Sequence, residues 1–486
     1  MLPCKREKAL YMALCLLASC VLLLLCSQCS PLYPTNVWPD ANCLLTVGRV
    51  MREGGVVYRD IYEQKGPTLY LIHALAACIS DGSFLGVYVM ELLSLAAALY
   101  MAWRIGRRRR QAWASYCDTV LIGACLLVGG AFSRGDSAEE FCLPYLMAAL
   151  HIVFSQYGAK KGPMQPRALF LCGLMAGMVA SIKFTILGMF VGLCMAEGVL
   201  ALREGGMKRA LKSAGVFLAG MLTPIALWCA YFACHGALGD AYTAYIHNNI
   251  FLYSDENRTL LDVAYDVWET VRSNALWVLL AVCGMLSFLL DRRESAQLRL
   301  GVLAMAVCAF AAVFLLGRTW PYSPLVLGVF AFVGFGSAVS PADRLKSDAM
   351  RRLASSVSCV LAVAVALCLS PNAYLRGTPK AELAQARLAA YVHEGATVLQ
   401  YNHLDDGLYL ASGRLPQQKY FVNLNVNYDE MRSELDRYVQ EAIPDYVLVS
   451  WHELPAQFDR YQLIATDAGY DDMDRINKML YLYRRK

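Results

Sequence analysis

The chain is dominated by long apolar blocks separated by short segments rich in arginine and lysine. A helix that crosses a bilayer needs about 20 mostly apolar residues, and about eleven blocks approach that length. They lie at about residues 9–26, 84–103, 113–132, 141–157, 167–182, 184–202, 213–232, 274–290, 300–317, 322–340 and 353–370. Only 17% of the 486 residues are charged, whereas soluble domains have about 25%. The sequence therefore predicts a polytopic α-helical membrane protein and excludes an ordinary soluble enzyme.

The basic residues predict how these spans are oriented. Lys5, Arg6 and Lys8 precede the first apolar run, which lacks a signal-peptide cleavage motif and is interpreted as an uncleaved anchor with a cytoplasmic N-terminus. The apolar block at 67–79 is too short to span, so we expect it to lie on the outer surface as a juxtamembrane helix. Every basic cluster then falls on the cytoplasmic side. The expected location is the cell (inner) membrane, with an extracytoplasmic C-terminal tail.

Two domains are expected: a transmembrane domain at 1–370 and a small extracytoplasmic α/β domain at 371–486. The tail has helical patterns at 380–394 and 428–442, and strand patterns at 397–401, 419–423, 446–451 and 479–484. It lacks the glycine-rich motifs of nucleotide-binding sites. The net charge of +5 is spread over short clusters between apolar blocks, which indicates membrane topology and not nucleic acid binding.

The first outer loop, residues 28–83, concentrates charge, glycine and tyrosine. Asp40 is one of its carboxylates, and a carboxylate beside cations at the membrane surface suits proton abstraction from a hydroxyl or amine. Lys65 is a candidate for holding a phosphate, and the candidates for binding substrate are Tyr58, Arg59 and Tyr62. A solvated loop whose charges only fix its shape is the alternative interpretation.

Further candidates lie near the outer ends of later apolar blocks. Glu139 and Glu140 begin a predicted helix, where they either support catalysis or complement the helix dipole. Lys183 interrupts an apolar stretch, so its charge either meets an anion or reaches out to the interface. The same outer level is expected to hold Arg134, Arg318 and Tyr322. The cations in this group suit a lipid-linked phosphate, and the tyrosine suits a sugar ring.

The order of these motifs resembles the bacterial GT-C integral membrane glycosyltransferases of the family 39 type. The nearest relatives by motif are the protein O-mannosyltransferases and the lipid A aminoarabinose transferases. The resemblance is carried by Asp40, Gly48–Gly55, Tyr58-Arg59-Asp60, Lys65-Gly66-Pro67-Thr68-Leu69-Tyr70, Glu139-Glu140-Phe141-x-x-Pro144 and Lys183. It implies a GT-C type transmembrane domain of about eleven helices, juxtamembrane helices in the first outer loop and an extracytoplasmic tail.

The resemblance also implies a reaction. Such enzymes take a sugar from a polyprenyl-phosphate donor in the outer leaflet and transfer it with inversion to a glycan, lipid or protein acceptor of the cell envelope. Asp40 is then the base, and Lys65 and Lys183 hold the donor phosphate. Ala41 stands where many relatives have a second acid, which argues against a metal site in this loop. The sequence requires no cofactor, although its carboxylates could accept a divalent cation.

A transporter or flippase of lipid-linked sugars is the main alternative function. It predicts ionisable residues deep inside several spans, whereas the apolar blocks here are nearly free of charge. A non-catalytic scaffold that binds envelope components is a second alternative. The sequence favours the transferase.

Overall fold

The structure is a computed structural model, and it describes residues 4–159, 162–253, 258–316, 318–334, 347–470 and 477–486. Most of these residues are helical. The α-helices, numbered along the chain, are α1 (Lys5–Cys26), α2 (Pro39–Arg52), α3 (Pro67–Ile79), α4 (Leu85–Gly106), α5 (Ala112–Leu127), α6 (Ala138–Ala159), α7 (Pro166–Lys183), α8 (Gly188–Cys234), α9 (Leu238–Ala241), α10 (Asn248–Phe251), α11 (Leu260–Ser273), α12 (Ala275–Leu290), α13 (Ala296–Phe314), α14 (Asp348–Leu369), α15 (Ala384–Ala389), α16 (Leu408–Ser412) and α17 (Asp429–Gln440). Two 3₁₀ segments lie at Phe184–Leu187 and Ser323–Phe332, and a π-helical turn lies at Tyr242–His247.

Within the described residues, 6 helical stretches are long and apolar enough to cross a membrane, or 7 if the bent pair α11 and α12 forms one span. One of these stretches, Pro166–Cys234, has 69 residues and is interrupted by non-helical backbone at Gly205 and Gly206. Helical backbone occurs in every predicted apolar block, although residue 317 and the end of the block at 322–340 lie outside the described residues. The mostly helical membrane architecture is confirmed. The number of eleven spans and their orientation stay predictions.

The chain divides into two compact units, and neither is continuous in sequence. Unit 1 comprises 1–27, 91–228 and 255–374, and unit 2 comprises 28–90, 229–254 and 375–486. The first outer loop and the tail therefore belong to one packed unit. The predicted domain boundary at residue 370 rests on membrane topology and stays a prediction.

Unit 1 is a helical bundle in which small residues allow close helix contacts. A Cβ atom on Gly173 would lie 2.0 Å from the backbone oxygen of Phe217, and one on Gly177 would lie 2.2 Å from that of Met221. These glycines let α7 and α8 approach backbone to backbone, as small residues do in membrane helices. Elsewhere in the unit, α5 packs against α14, where the Trp113 indole donates to the Ser356 hydroxyl at 3.0 Å.

Unit 2 contains α2, α3 and a four-stranded sheet with the order β1-β2-β4-β3. The strands are β1 (Val398–Gln400), β2 (Tyr446–Ser450), β3 (Tyr461–Tyr470) and β4 (Asn477–Arg485). Strands β1 and β2 are parallel, and the other pairs are antiparallel. The predicted small α/β tail is therefore present. The strand predicted at 419–423 is wrong, because that segment has irregular backbone, and β3 was not predicted.

Helix α2 is fixed to the tail by buried polar contacts within unit 2. The Thr46 hydroxyl donates to Asp405 Oδ2 at 2.8 Å. The Arg49 guanidinium donates to the carbonyl oxygens of Tyr409 at 3.4 Å and Arg414 at 3.2 Å, and it pairs with Asp81 at 3.0 Å. Buried carbonyl and carboxylate oxygens need hydrogen-bond donors, and Thr46 and Arg49 supply them here. These hydrogen bonds fix the position of α2 against the tail.

Candidate active site

Asp40 lies in the first turn of α2, directly after Pro39 at the first helical position. Proline suits this position, and a carboxylate there is stabilised by the positive end of the helix dipole. The Asp40 side chain is 17% exposed, and Lys65 Nζ lies 3.1 Å from its Oδ1 atom. Lys65 Nζ also lies 3.2 Å from Glu63 Oε1. One ammonium therefore bridges two carboxylates.

The segment that carries Lys65 is held by hydroxyl and carboxylate groups. The Lys65 N–H donates to Glu63 Oε2 at 2.9 Å and to the Tyr70 hydroxyl oxygen at 2.8 Å. The Tyr70 hydroxyl donates to Glu63, and the Tyr58 hydroxyl donates to the Lys65 carbonyl at 2.6 Å. Burial lowers the pKa of Lys65, but the charges of Asp40 and Glu63 outweigh it and raise the pKa well above its ordinary value. Lys65 is thus a fixed cation at neutral pH.

The three candidate substrate residues of this loop have packing and polar contacts within unit 2. Tyr58 is buried against Phe232, and Tyr62 is buried and accepts a hydrogen bond from Asn248 at 2.8 Å. Arg59 is more exposed and binds Asp60 and the carbonyl oxygen of His235 at 2.7 Å. Their contact with a substrate stays a prediction.

In unit 1, the structure brings Lys183 together with Glu139 and Tyr322. Lys183 ends α7, and its Nζ atom lies 2.6 Å from Glu139 Oε1. The same ammonium lies 5.3 Å from the centroid of the Tyr322 ring, within cation–π range. The Glu139 side chain is 1% exposed and that of Lys183 is 23% exposed. A ligand could therefore reach the lysine more readily than its partner carboxylate.

Glu140 belongs to a separate buried group with Glu91 and Asp136. The Asp136 N–H donates to Glu91 Oε1 at 2.8 Å and to Glu140 Oε2 at 3.0 Å. The Ser27 hydroxyl donates to Glu91 Oε2 at 2.8 Å. Sequence reasoning missed Glu91, and the available signal was a single carboxylate inside the apolar block at 84–103. In the part of the chain that the structure describes, no cluster of three or more His, Cys, Asp or Glu residues is arranged to hold a metal ion.

The remaining predicted cations occupy different environments. Arg134 is buried in the tight turn before α6, where Ser133 and Asp136 adopt positive φ angles of 55° and 64°. Non-glycine residues rarely adopt positive φ, and such strain is concentrated at functional turns. Arg318, by contrast, has an exposed guanidinium that lies 4.8 Å from the centroid of the Trp320 ring.

An apolar cavity of unit 1 lies close in sequence to the Lys183 group. Its lining includes Ile186 and Met189, which follow Lys183, and Val313 and Val326, which flank the segment of Arg318 and Tyr322. Unit 1 therefore offers a cation, an aromatic ring and an apolar recess on neighbouring stretches of chain.

The fold is that of the GT-C membrane glycosyltransferases, which confirms the resemblance seen in the motifs. The crystal structure of ArnT from Cupriavidus metallidurans bound to undecaprenyl phosphate matches with a TM-score of 0.62 and 13% identity, covering 98% of this chain and 97% of that one. Its apo state matches with a TM-score of 0.60, 13% identity and the same coverage of 98% and 97%. The oligosaccharyltransferase AglB from Archaeoglobus fulgidus, in complex with an inhibitory peptide and a dolichol-phosphate, gives a TM-score of 0.50 and 12% identity, covering 98% and 76%.

The fold and the apolar helices thus define a multi-pass membrane protein of the GT-C class. The chain belongs to the family described as the putative competence-induced protein Ccs4 N-terminal domain, whose model matches residues 5–375. Comparison with curated proteins gives no match.

Proposed function

We propose that this chain is a membrane glycosyltransferase. It moves a hexosyl or pentosyl group from a polyprenyl-phosphate donor to an envelope acceptor on the outer face of the membrane, with inversion. The observation that carries the proposal is the Asp40–Lys65 pair at the start of α2, in a chain with the GT-C fold. Structures with this fold include ArnT bound to undecaprenyl phosphate and AglB with a dolichol-phosphate, which supports a lipid-phosphate donor.

The first chemical requirement of such a transfer is a base for the acceptor. Asp40 is partly exposed and can reach a hydroxyl or amine. The ionised carboxylate is the state that accepts a proton, and the Lys65 ammonium lies 3.1 Å from it. As the acceptor atom attacks the anomeric carbon, Asp40 takes its proton and the bond from that carbon to the phosphate oxygen breaks. Direct displacement inverts the anomeric centre.

The second requirement is stabilisation of the phosphate that leaves. Lys183 is the first candidate, because its ammonium is partly exposed and pairs with the carboxylate of Glu139. Arg318 presents an exposed guanidinium near the aromatic ring of Trp320. Charge-assisted hydrogen bonds from such groups stabilise a phosphate leaving group.

A reconstituted transfer assay separates this proposal from a flippase. The purified chain in lipid nanodiscs is mixed with a panel of radiolabelled undecaprenyl-phosphate hexoses and pentoses and with an envelope extract as acceptor. The proposal predicts that label moves from the lipid to the extract and that undecaprenyl phosphate accumulates. A flippase would move labelled lipid across proteoliposome bilayers without releasing the sugar, and that result would overturn the proposal.

A further inference from the structure

We propose that Glu63 is a positioning residue that fixes Lys65 against Asp40. This inference rests on the proposed function, because it assigns Glu63 a role through the proposed catalytic aspartate. Glu63 lies between the two sequence motifs of this loop, Tyr58-Arg59-Asp60 and Lys65–Tyr70, and belongs to neither.

The contacts of Glu63 converge on Lys65. Its Oε1 atom lies 3.2 Å from Lys65 Nζ, and its Oε2 atom accepts the Lys65 N–H at 2.9 Å. The Tyr70 hydroxyl links the same two residues, since it donates to Glu63 and accepts from the Lys65 N–H at 2.8 Å. Glu63 thus holds both the backbone and the side chain of Lys65.

Burial distinguishes Glu63 from an ordinary loop carboxylate. Its side chain is 1% exposed, whereas the side chains of Lys65 and Asp40 are 15% and 17% exposed. A carboxylate buried this deeply costs several kcal/mol unless it is paired and hydrogen-bonded. Here the pairing partner is the lysine that also contacts Asp40, so the buried charge anchors the partly exposed pair.

The first test is a double-mutant cycle with Glu63→Gln and Lys65→Met in the transfer assay. We expect Glu63→Gln to lower kcat by about ten- to a hundredfold, the range seen when a supporting residue of a site is removed, with donor KM within about twofold. In the Lys65→Met background the same change should have almost no further effect, because Glu63 acts through Lys65. Losses that multiply in the double variant would overturn the inference.

A matched control is Glu430→Gln in the same unit. Glu430 is an exposed carboxylate that accepts hydrogen bonds from the hydroxyls of Tyr420 and Tyr428, as Glu63 accepts one from Tyr70. We expect its kcat to equal that of the wild type, so a loss specific to Glu63 is not a general effect of removing a tyrosine-bound carboxylate. If Glu63→Gln does not fold, Tyr70→Phe is the second variant, because it removes the hydroxyl that links Glu63 to the Lys65 N–H. It should lower kcat with an unchanged donor KM.

The second test needs no transferase activity. Lys65 in the folded chain is labelled with acetic anhydride at pH 8 and quantified by mass spectrometry. Only the neutral amine reacts, so removing one of its two carboxylates should speed labelling about tenfold for each unit by which the Lys65 pKa falls. Equal labelling of wild type and Glu63→Gln would overturn the inference. If Glu63→Gln speeds the labelling of Lys65 but the wild type transfers no sugar, the proposed function is wrong and the inference about Glu63 stands.

Discussion

At the residue scale, we predict that the Lys183 ammonium binds the phosphate of the donor. Its ammonium rests on Glu139 at 2.6 Å and near the Tyr322 ring, and a phosphate would compete with Glu139 for it. Replacing Lys183 with methionine keeps the bulk and removes the charge. A charge-assisted contact contributes about 1.5–3 kcal/mol, so we expect Lys183→Met to bind undecaprenyl phosphate about ten- to a hundredfold more weakly.

Equilibrium binding of that lipid phosphate to the purified variant checks this prediction. Lys212→Met, at an exposed position of α8, is the control and should bind as the wild type does. Wild-type affinity in Lys183→Met would show that the lysine only extends its charge to the membrane interface.

We expect the titration of Asp405 to make the free energy of unfolding depend on pH. Burial raises the pKa of Asp405 from its ordinary 3.8 to about 6, although the Thr46 hydroxyl opposes this shift. The folded chain therefore binds one more proton than the unfolded chain between about pH 4 and pH 6, so stability falls as the pH rises through this range. Burial also acts on Asp406, but His403 and Lys478 lower its pKa to about 2, so it stays ionised there.

The measurement is the melting temperature of wild type and Asp405→Asn in detergent at pH 4.5 and pH 7. Only the wild type should lose stability on going to pH 7, by about 2 kcal/mol, because asparagine does not ionise. Parallel changes in the two proteins would show that Asp405 does not titrate in this window.

At the element scale, the position of α2 depends on the contacts of Arg49 with the tail. Arg49 is buried and supplies donors to Asp81 and to the carbonyl oxygens of Tyr409 and Arg414. Arg49→Met would take the Arg49 donor away from the carbonyl oxygens of Tyr409 and Arg414, so we expect a loss of about 2–4 kcal/mol in unfolding free energy and a lower melting temperature. Arg52→Met, at the more exposed end of α2, should cost much less. Equal losses would mean that Arg49 does not anchor the helix.

The sequence predicted the helices well because long apolar blocks and basic clusters signal them directly. The tail was harder to predict. The segment 419–423 has apolar residues typical of a strand, yet its backbone makes single bonds to scattered partners, such as Lys419 O with the N–H of Tyr62. Strand β3 was missed because it lies beside β4 at the edge of the described sheet, where exposed polar residues are tolerated.

The same contrast holds at the candidate site. Asp40 was identified as the base and Lys65 as a phosphate ligand, but their contact joins residues 25 positions apart and depends on the intervening turn. Glu63 and Glu91 gave no motif signal. Their contacts with the candidate site residues depend on tertiary packing, which the sequence pattern does not show.

At the scale of the whole molecule, the predicted topology places residues 107–110 in the cytoplasm and the tail outside. Contacts within unit 1 place these arginines beside other residues that the topology assigns to the same side of the membrane. Arg107 pairs with Glu7 and Arg109 pairs with Glu294, both at 3.0 Å. Single cysteines at the exposed positions Gln111 and Glu394, in a chain otherwise free of cysteine, test the orientation. In intact cells an impermeant maleimide should label only position 394. Labelling of position 111 alone would show that the orientation is the opposite of the predicted one.

The central claim is that the chain transfers a sugar with Asp40 as base, and the turnover of Asp40→Asn tests it most directly. The substitution keeps the shape of the side chain and removes its ability to accept a proton, so we expect kcat to fall by about 10²–10⁴ while donor binding and melting temperature are retained. Glu53→Gln, at the exposed end of the same helix, should turn over as the wild type does. Transfer by Asp40→Asn at the wild-type rate would contradict the mechanism.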